Sequence, residues 1–196
     1  MSASEPSEQE VDRALVERAR EGDAAAFEVL VKKYVPRLYG MVFSMTASHE
    51  DTDDLMQDIF LRVHRSLVRF RGDSGFYTWV YSIAVNMTLN FLKRRNRRKT
   101  LSLDGPDGTV PQAALDGLTD ATDPVREAGL HELQVRLNEA LQRLSEDHRA
   151  VVTMFDIQGI PHAEISRILG VSEGTVRSRL HYAHKQLQAW LSDCLH

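Results

Sequence analysis

One cysteine in 196 residues, Cys194 close to the C-terminus, can form neither an intrachain disulfide nor a cysteine-rich zinc site. Long apolar runs are also missing: nothing approaches the roughly 18 consecutive apolar residues of a membrane span. The opening MSASEPSEQEVDRALVERAR lacks the apolar core of a signal peptide. These absences predict a cytoplasmic chain with no membrane insertion. Basic residues are not in excess, at 24 Lys and Arg against 28 Asp and Glu, and the net charge of −4 excludes a generic basic coat for nucleic acid. Aromatics make up only 7% of the chain, so a cluster of them carries weight. Strand-like alternation bounded by turn pairs is absent, which predicts an all-α fold. The 42% hydrophobic content is enough for real cores in one or two domains.

What is present is organised. The run KRRNRRK from Lys93 to Lys99 holds six basic residues in seven. Directly after it, Asp104, Asp107, Asp116, Asp120, Asp123, Glu127 and Glu132 face a single Arg126. Blocks of opposite sign side by side imply segments with different partners. The stretch from Thr100 to Pro124 includes Pro106, Pro111 and Pro124 among glycines and aspartates. It breaks every helical period and reads as a linker between two helical blocks, and the first ten residues read as a disordered leader.

In the N-terminal block, Phe27, Leu30, Val31, Tyr34, Leu38, Met41 and Val42 recur at three- and four-residue steps. Pro36 inside this pattern predicts a kink or a break. Ser48 and Asp51 offer capping oxygens before Leu55, Ile59, Val63 and Leu67, whose opposite face runs from Asp54 and Asp58 to Arg62, Arg65 and Arg69. A third long helix is expected from about Tyr77 to Arg95. In the C-terminal block Leu130, Leu133, Leu137, Leu141 and Leu144 form one stripe. Short helices follow at Val151–Ile157 and His162–Leu169, and a last helix runs from Ser172 toward Leu191.

The sharpest local pattern is IPHAEISRILGVSEGTVRSRLHYAHKQL. Ile165, Ile168 and Leu169 line a short helix, Gly170 permits a left-handed turn, Val171 plugs the angle, and Ser172 caps a second helix held inward by Val176 and Leu180. This is a helix-turn-helix. Its outer face carries Glu173, Thr175, Arg177, Ser178, His181 and Tyr182, with Arg177 and Arg179 able to reach guanine edges or phosphates and Lys185 the backbone. His181 and His184 lack the carboxylate or cysteine partners of a metal site.

A second pattern is GFYTWVYSIAVNMTLNFLKRRNRRK. Phe76, Tyr77, Trp79 and Tyr81 crowd into six residues, followed by Asn86 and then the basic run. Rings that stack on unpaired bases, beside cations that follow phosphates, are what single-stranded DNA binding needs.

With these residues in view, the chain resembles the extracytoplasmic-function (group 4) sigma factors of bacterial RNA polymerase. Three motifs carry the resemblance in the family's order: DTDDLMQDIFLRVHRSLVRF, FYTWVYSIAVNMTLNFLKRRNRR and LSEDHRAVVTMFDIQGIPHAEISRILGVSEGTVRSRL. It covers nearly everything from Leu15 to Leu191. The family implies a sigma-two-like domain at 11–97 and a sigma-four-like domain at 131–193, joined by an acidic linker over 98–130. It implies polymerase contact at Asp54, Gln57 and Asp58. For the minus-ten element it implies melting and base capture by the loop Arg71–Gly75 with Phe76, Tyr77, Trp79 and Asn86, and phosphate contacts from Lys93, Arg94, Arg95, Arg97 and Arg98. Glu173, Thr175, Arg177, Ser178, Arg179, His181, Tyr182 and Lys185 match the minus-35 reader, although many relatives have arginine where this chain has Tyr182 and His184. The linker aspartates match a segment that threads the enzyme's basic RNA path. The implied partners are core polymerase (clamp helices and flap), promoter DNA both duplex and locally single-stranded, and an anti-sigma factor, with the chain a monomer when bound to polymerase. The resemblance implies no cofactor, no metal and no catalysis of its own.

Two rival readings explain less. A stand-alone helix-turn-helix regulator leaves the aromatic and basic helix without a task and needs a dimer face that no heptad supplies. A hydrolase using Asp51, Asp53, Asp54 and Asp58 would lack both a phosphate-cradling glycine loop and a nucleophile–base pair.

Overall fold

The computed structural model describes residues 7–101 and 135–192. Helix α1 (Glu8–Arg20) begins with a capping box: the Ser7 hydroxyl accepts from the Glu10 amide, and the Glu10 carboxylate accepts from the Ser7 amide at 2.7 Å. Residues 8–10, expected in a disordered leader, are therefore helical. The cause is the S-x-x-E spacing, which supplies partners for amides that a helix start would otherwise leave unpaired.

Helix α2 (Ala24–Thr46) is continuous through Pro36, against the expected kink or break. Pro36 faces solvent, where the carbonyl it leaves without an amide can be hydrated, while Leu30, Tyr34, Leu38, Met41, Val42 and Met45 bury the opposite side. A buried Asp12 fastens α1 to α2, accepting from the Lys33 ammonium at 2.6 Å and from the Tyr34 hydroxyl. Burial pulls the Lys33 ammonium down, but its bonds to Asp12 and Glu8 outweigh this and hold it well above its ordinary range. Burial and the Asp12 carboxylate push the Tyr34 phenol up to about 12.

Helix α3 (His49–Ser66) is capped by the Ser48 hydroxyl on the Asp51 amide and buries Leu55, Ile59 and Val63 against α2 and α4. A 3-10 turn (Leu67–Arg69) leads to helix α4 (Phe76–Leu101), which extends beyond the expected end at Arg95.

The second unit opens with helix α5 (135–143). Leu141 and its neighbour Leu144 are buried, but Leu137 is 40% exposed, so the expected leucine stripe covers only part of this helix; Leu130 and Leu133 lie outside the described residues. Helix α6 (Glu146–Val152) runs into a π turn (Thr153–Ile157), a single wide turn after which the chain reaches Pro161 and helix α7 (His162–Leu169). Gly170, at φ +65°, ends α7 in the left-handed conformation. Ser172 then caps helix α8 (Glu173–Leu191), its hydroxyl accepting from the Thr175 amide at 3.1 Å. The two units touch: α4 packs against α6 and α7, and the end of α2 meets α6 and the π turn.

Candidate nucleic-acid interface

On α3, burial of Leu55, Ile59 and Val63 turns Asp54, Gln57 and Asp58 outward, and all three are exposed. Leu61, also exposed at 53%, continues the same face one turn on. Spacing alone had marked the polar residues and passed over this leucine.

At the start of α4 the rings divide into a foundation and a face. Phe76 is only 7% exposed, with its ring 5.9 Å from Tyr34 and 5.8 Å from both Phe70 and Trp79. Spacing left open which of these rings are core, and Phe76, surrounded by protein rings, is the floor of the cluster. Tyr81 is buried completely, its hydroxyl has no partner among the described residues, and burial drives its pKa sharply upward. Tyr77 and Trp79 are half-buried. Trp79 lies on Phe70 at 4.9 Å, and Tyr77 lies between Tyr34 at 5.2 Å and Tyr81 at 5.7 Å, with the Arg37 guanidinium over its ring. Arg71, in the loop before the cluster, is exposed. Seven residues after Trp79, two helical turns on the same side, Asn86 is exposed at its edge, and its amide donates to the Ser82 carbonyl at 2.8 Å and the Ile168 carbonyl at 3.2 Å.

The basic end of α4 is not uniform. Arg94, Arg97 and Arg98 are exposed, with no ion-pair partner among the described residues. Arg95 instead folds back over the Phe91 ring and donates to Asp51 at 2.7 Å. In the structure without DNA the start of α3 thus supplies a carboxylate partner to a residue expected to contact phosphate. Lys93 pairs with Asp147 of α6 at 2.9 Å.

On α8, Val176, Leu180, Ala183 and Leu187 are buried. Glu173, Arg177, Ser178, His181, Tyr182 and Lys185 stay exposed, and Thr175 and Arg179 are intermediate. Arg177 leans on Glu173 at 3.2 Å, and the His181 and Tyr182 rings meet edge to face. Arg179 reaches Asp147 at 2.7 Å. Sequence patterning missed Asp147, which touches both predicted DNA-binding groups, and Arg149, which is 5% exposed. Arg149 donates to the carbonyls of Leu141, Gln142 and Leu144, to the Gln142 side chain and, across to the first unit, to the Met45 carbonyl. Burial and the nearby Arg95 lower its pKa to about 10, which leaves it charged at neutral pH. No period singles out such residues. The only signal was their place in the quoted LSEDHRAVV segment.

A helix-turn-helix with an arginine-bearing outer face, beside a separate aromatic, amide and cation surface, defines the class of DNA-binding proteins. Comparison with known proteins agrees. Residues 30–98 match the model of Sigma-70 region 2, and residues 134–187 that of Sigma-70, region 4. The chain is 33% identical to the RNA polymerase sigma-H factor of Pseudomonas aeruginosa over 193 residues, spanning 95% of this chain and 97% of that protein. It is 35% identical to the ECF RNA polymerase sigma-E factor of Escherichia coli (strain K12), spanning 92% of this chain and 94% of that one. In fold it resembles CnrH, solved with the cytosolic domain of CnrY, at TM-score 0.65 and 24% identity over 93% of this chain and 98% of that one. It also resembles the sigma factor RpoE of Bartonella quintana, solved with the anti-sigma factor NepR, at TM-score 0.65 and 23% identity over 85% and 96%. The chain belongs to the extracytoplasmic-function sigma factors of RNA polymerase. It is a promoter-specific initiation factor, and the stand-alone regulator is not favoured. Among the described residues no helix is long and apolar enough to cross a membrane.

Proposed function

We propose that this sigma factor docks on the clamp helices of core polymerase through Asp54, Gln57 and Asp58. Residues 11–97 then act as the minus-ten domain and 131–193 as the minus-35 domain, the latter also meeting the flap. Trp79 and Tyr77, supported by Phe76 and Phe70, hold unpaired bases. Asn86 hydrogen-bonds a base edge, and Arg71, Lys93, Arg94, Arg97 and Arg98 hold phosphates. In the upstream duplex, Arg177, Arg179 and Ser178 meet the major groove, flanked by Glu173, Thr175, His181, Tyr182 and Lys185. The acidic linker over 98–130, most of it outside the described residues, passes through the RNA path. The chain works in the cytoplasm as a monomer on polymerase, catalyses nothing itself, and is held inactive by an anti-sigma factor, the kind of partner with which the Bartonella relative was solved.

The observation that carries this reading is the half-buried pair Tyr77 and Trp79 on a floor of buried rings, in line with Asn86. Extracting a base costs a few kcal/mol. Stacking returns roughly 1–3 kcal/mol per base, so such a platform can stabilise an opened junction without ATP.

The test is run-off transcription with bacterial core polymerase on a library of promoter fragments. Wild-type protein should initiate at defined sequences. Asn86→Ala and Trp79→Ala should each lower initiation roughly tenfold, with circular dichroism unchanged for the exposed Asn86. Tight duplex binding by the chain alone, with no association with core polymerase, would sink this reading.

A further inference from the structure

Helix α2 carries three basic residues, and two of them spend their charge within the protein. Lys32 pairs with Glu28 at 2.6 Å. Lys33 pairs with Asp12 at 2.6 Å and with Glu8 at 3.1 Å. Arg37 differs from both: it is exposed, and its guanidinium has no ion-pair partner among the described residues. What it has is a ring. Its guanidinium carbon lies over Tyr77, 5.7 Å from the ring centroid, within the range of a cation–π contact. That ring is itself held in place. Tyr34, three residues before Arg37 on the same helix, lies 5.2 Å from it and donates its hydroxyl to the buried Asp12, while Tyr81 closes another side at 5.7 Å. Tyr77 therefore presents Arg37 at a fixed place beside the ring platform. Such a contact uses the charge of the guanidinium and leaves its N–H donors unspent.

Resting on the roles proposed for Tyr77 and Trp79, we infer that Arg37 is a further strand-holding residue: it grips a backbone phosphate of the unpaired strand where that strand passes the ring platform. Reach requires a cation near the rings. Lys93, the first of the basic run on α4, lies about 21 Å along the helix axis from Trp79 at 1.5 Å per residue. It cannot serve the phosphate next to a base held at the rings, whereas Arg37 touches them from a second helix. Charge favours the same residue. Lys32 and Lys33 would have to give up a carboxylate to meet a phosphate, and Arg37 breaks no ion pair in doing so. Its forked donors also match two phosphate oxygens at once, which fixes orientation as well as position. A phosphate contact carries no sequence information of its own. Arg37 accordingly sets where the strand lies across the rings, and leaves the choice of base to the groups that meet base edges.

The test uses the full chain on core polymerase and measures its affinity, over a series of salt concentrations, for a forked promoter fragment whose minus-ten strand is unpaired. Arg37→Gln keeps most of the stem and removes the charge. It should lower affinity about fivefold at about 0.1 M salt and lessen the slope of log affinity against log salt by about 0.7, the share of one single-strand phosphate. Arg37→Lys should restore the wild-type slope. Lys32→Gln is the charge control: it removes the same charge from the same helix, where the ammonium is already paired with Glu28, and should leave the slope unchanged. Base preference, read on forks substituted at each minus-ten position, should be the same in Arg37→Gln and wild type. A wild-type slope in Arg37→Gln, an equal change in Lys32→Gln, or an equal loss on a duplex fragment ending upstream of the minus-ten element would overturn the inference and leave the ring platform standing. Trp79→Ala in the same assay judges the platform separately. If that variant bound the fork as tightly as wild type, the platform reading would fail and the inference would fall with it.

Discussion

Arg149 shows how one residue can hold a junction with no carboxylate hydrogen-bonded to it. Its guanidinium is surrounded by carbonyl oxygens and an amide side chain, all neutral, and one of those carbonyls belongs to the other unit. Desolvating a cation is costly, and the return comes from nearly complete satisfaction of its donors and from the partial negative charge at the end of α2. Replacing it with alanine leaves several buried carbonyls unpaired at once. Arg149→Ala should lower unfolding free energy by about 3 kcal/mol, read as a lower urea midpoint. Arg149→Lys should recover only part, because an ammonium offers three donors where the guanidinium offers five.

At the scale of elements, two helix ends form a matched pair. Both Ala47, at φ +53°, and Gly170, at φ +65°, close their helices in the left-handed conformation. Only glycine takes this conformation without a Cβ penalty of about 1–2 kcal/mol. Ala47→Gly should therefore stabilise the chain by about 1 kcal/mol, and Gly170→Ala should destabilise it by a similar amount. A Cβ at Gly170 meets nothing within 4 Å, so the cost there is conformational alone. Thermal midpoints that moved in the same direction for both variants would contradict this. Most of the elements were legible in the sequence, because apolar steps of three and four residues, Ser48, Gly170 and Ser172 state faces and ends directly. The errors fall where local rules meet tertiary context. Pro36 is tolerated on the wet side of α2, and the capping box at Ser7 outweighs a polar composition. Asp147, Arg149 and the pairing of Arg95 with Asp51 were not legible, since they join residues far apart in the chain that no period connects.

For the whole molecule, the contact that Asp147 makes between the units, with Lys93 on one side and Arg179 beside it, should depend on pH in one direction. Burial raises the Asp147 pKa, but the hydrogen bond from Lys93 and the nearby Arg179 outweigh this and set it below the usual 3.8. A carboxyl with a depressed pKa in the folded chain contributes fully above its ordinary value and loses that contribution as pH falls through the lowered one. The stability that Asp147 contributes, read as the loss in urea midpoint on Asp147→Asn, should thus be flat from neutrality to about pH 5 and shrink below about pH 4. A decline centred near pH 6.5 would point to histidine instead.

Helix α4 also works as a ruler. It is one uninterrupted helix of 26 residues that carries the ring platform near one end and Arg98 near the other. Trp79 and Arg98 are separated by about 28 Å along its axis at 1.5 Å per residue. Duplex DNA advances about 3.4 Å per base pair, so the same length covers about eight steps. On the roles proposed above, the distance between strand parting at the rings and backbone grip at Arg98 would be built into the length of one helix. A one-residue insertion within it would turn Arg98 by about 100° relative to the rings, and the loss would be one of phase more than of reach.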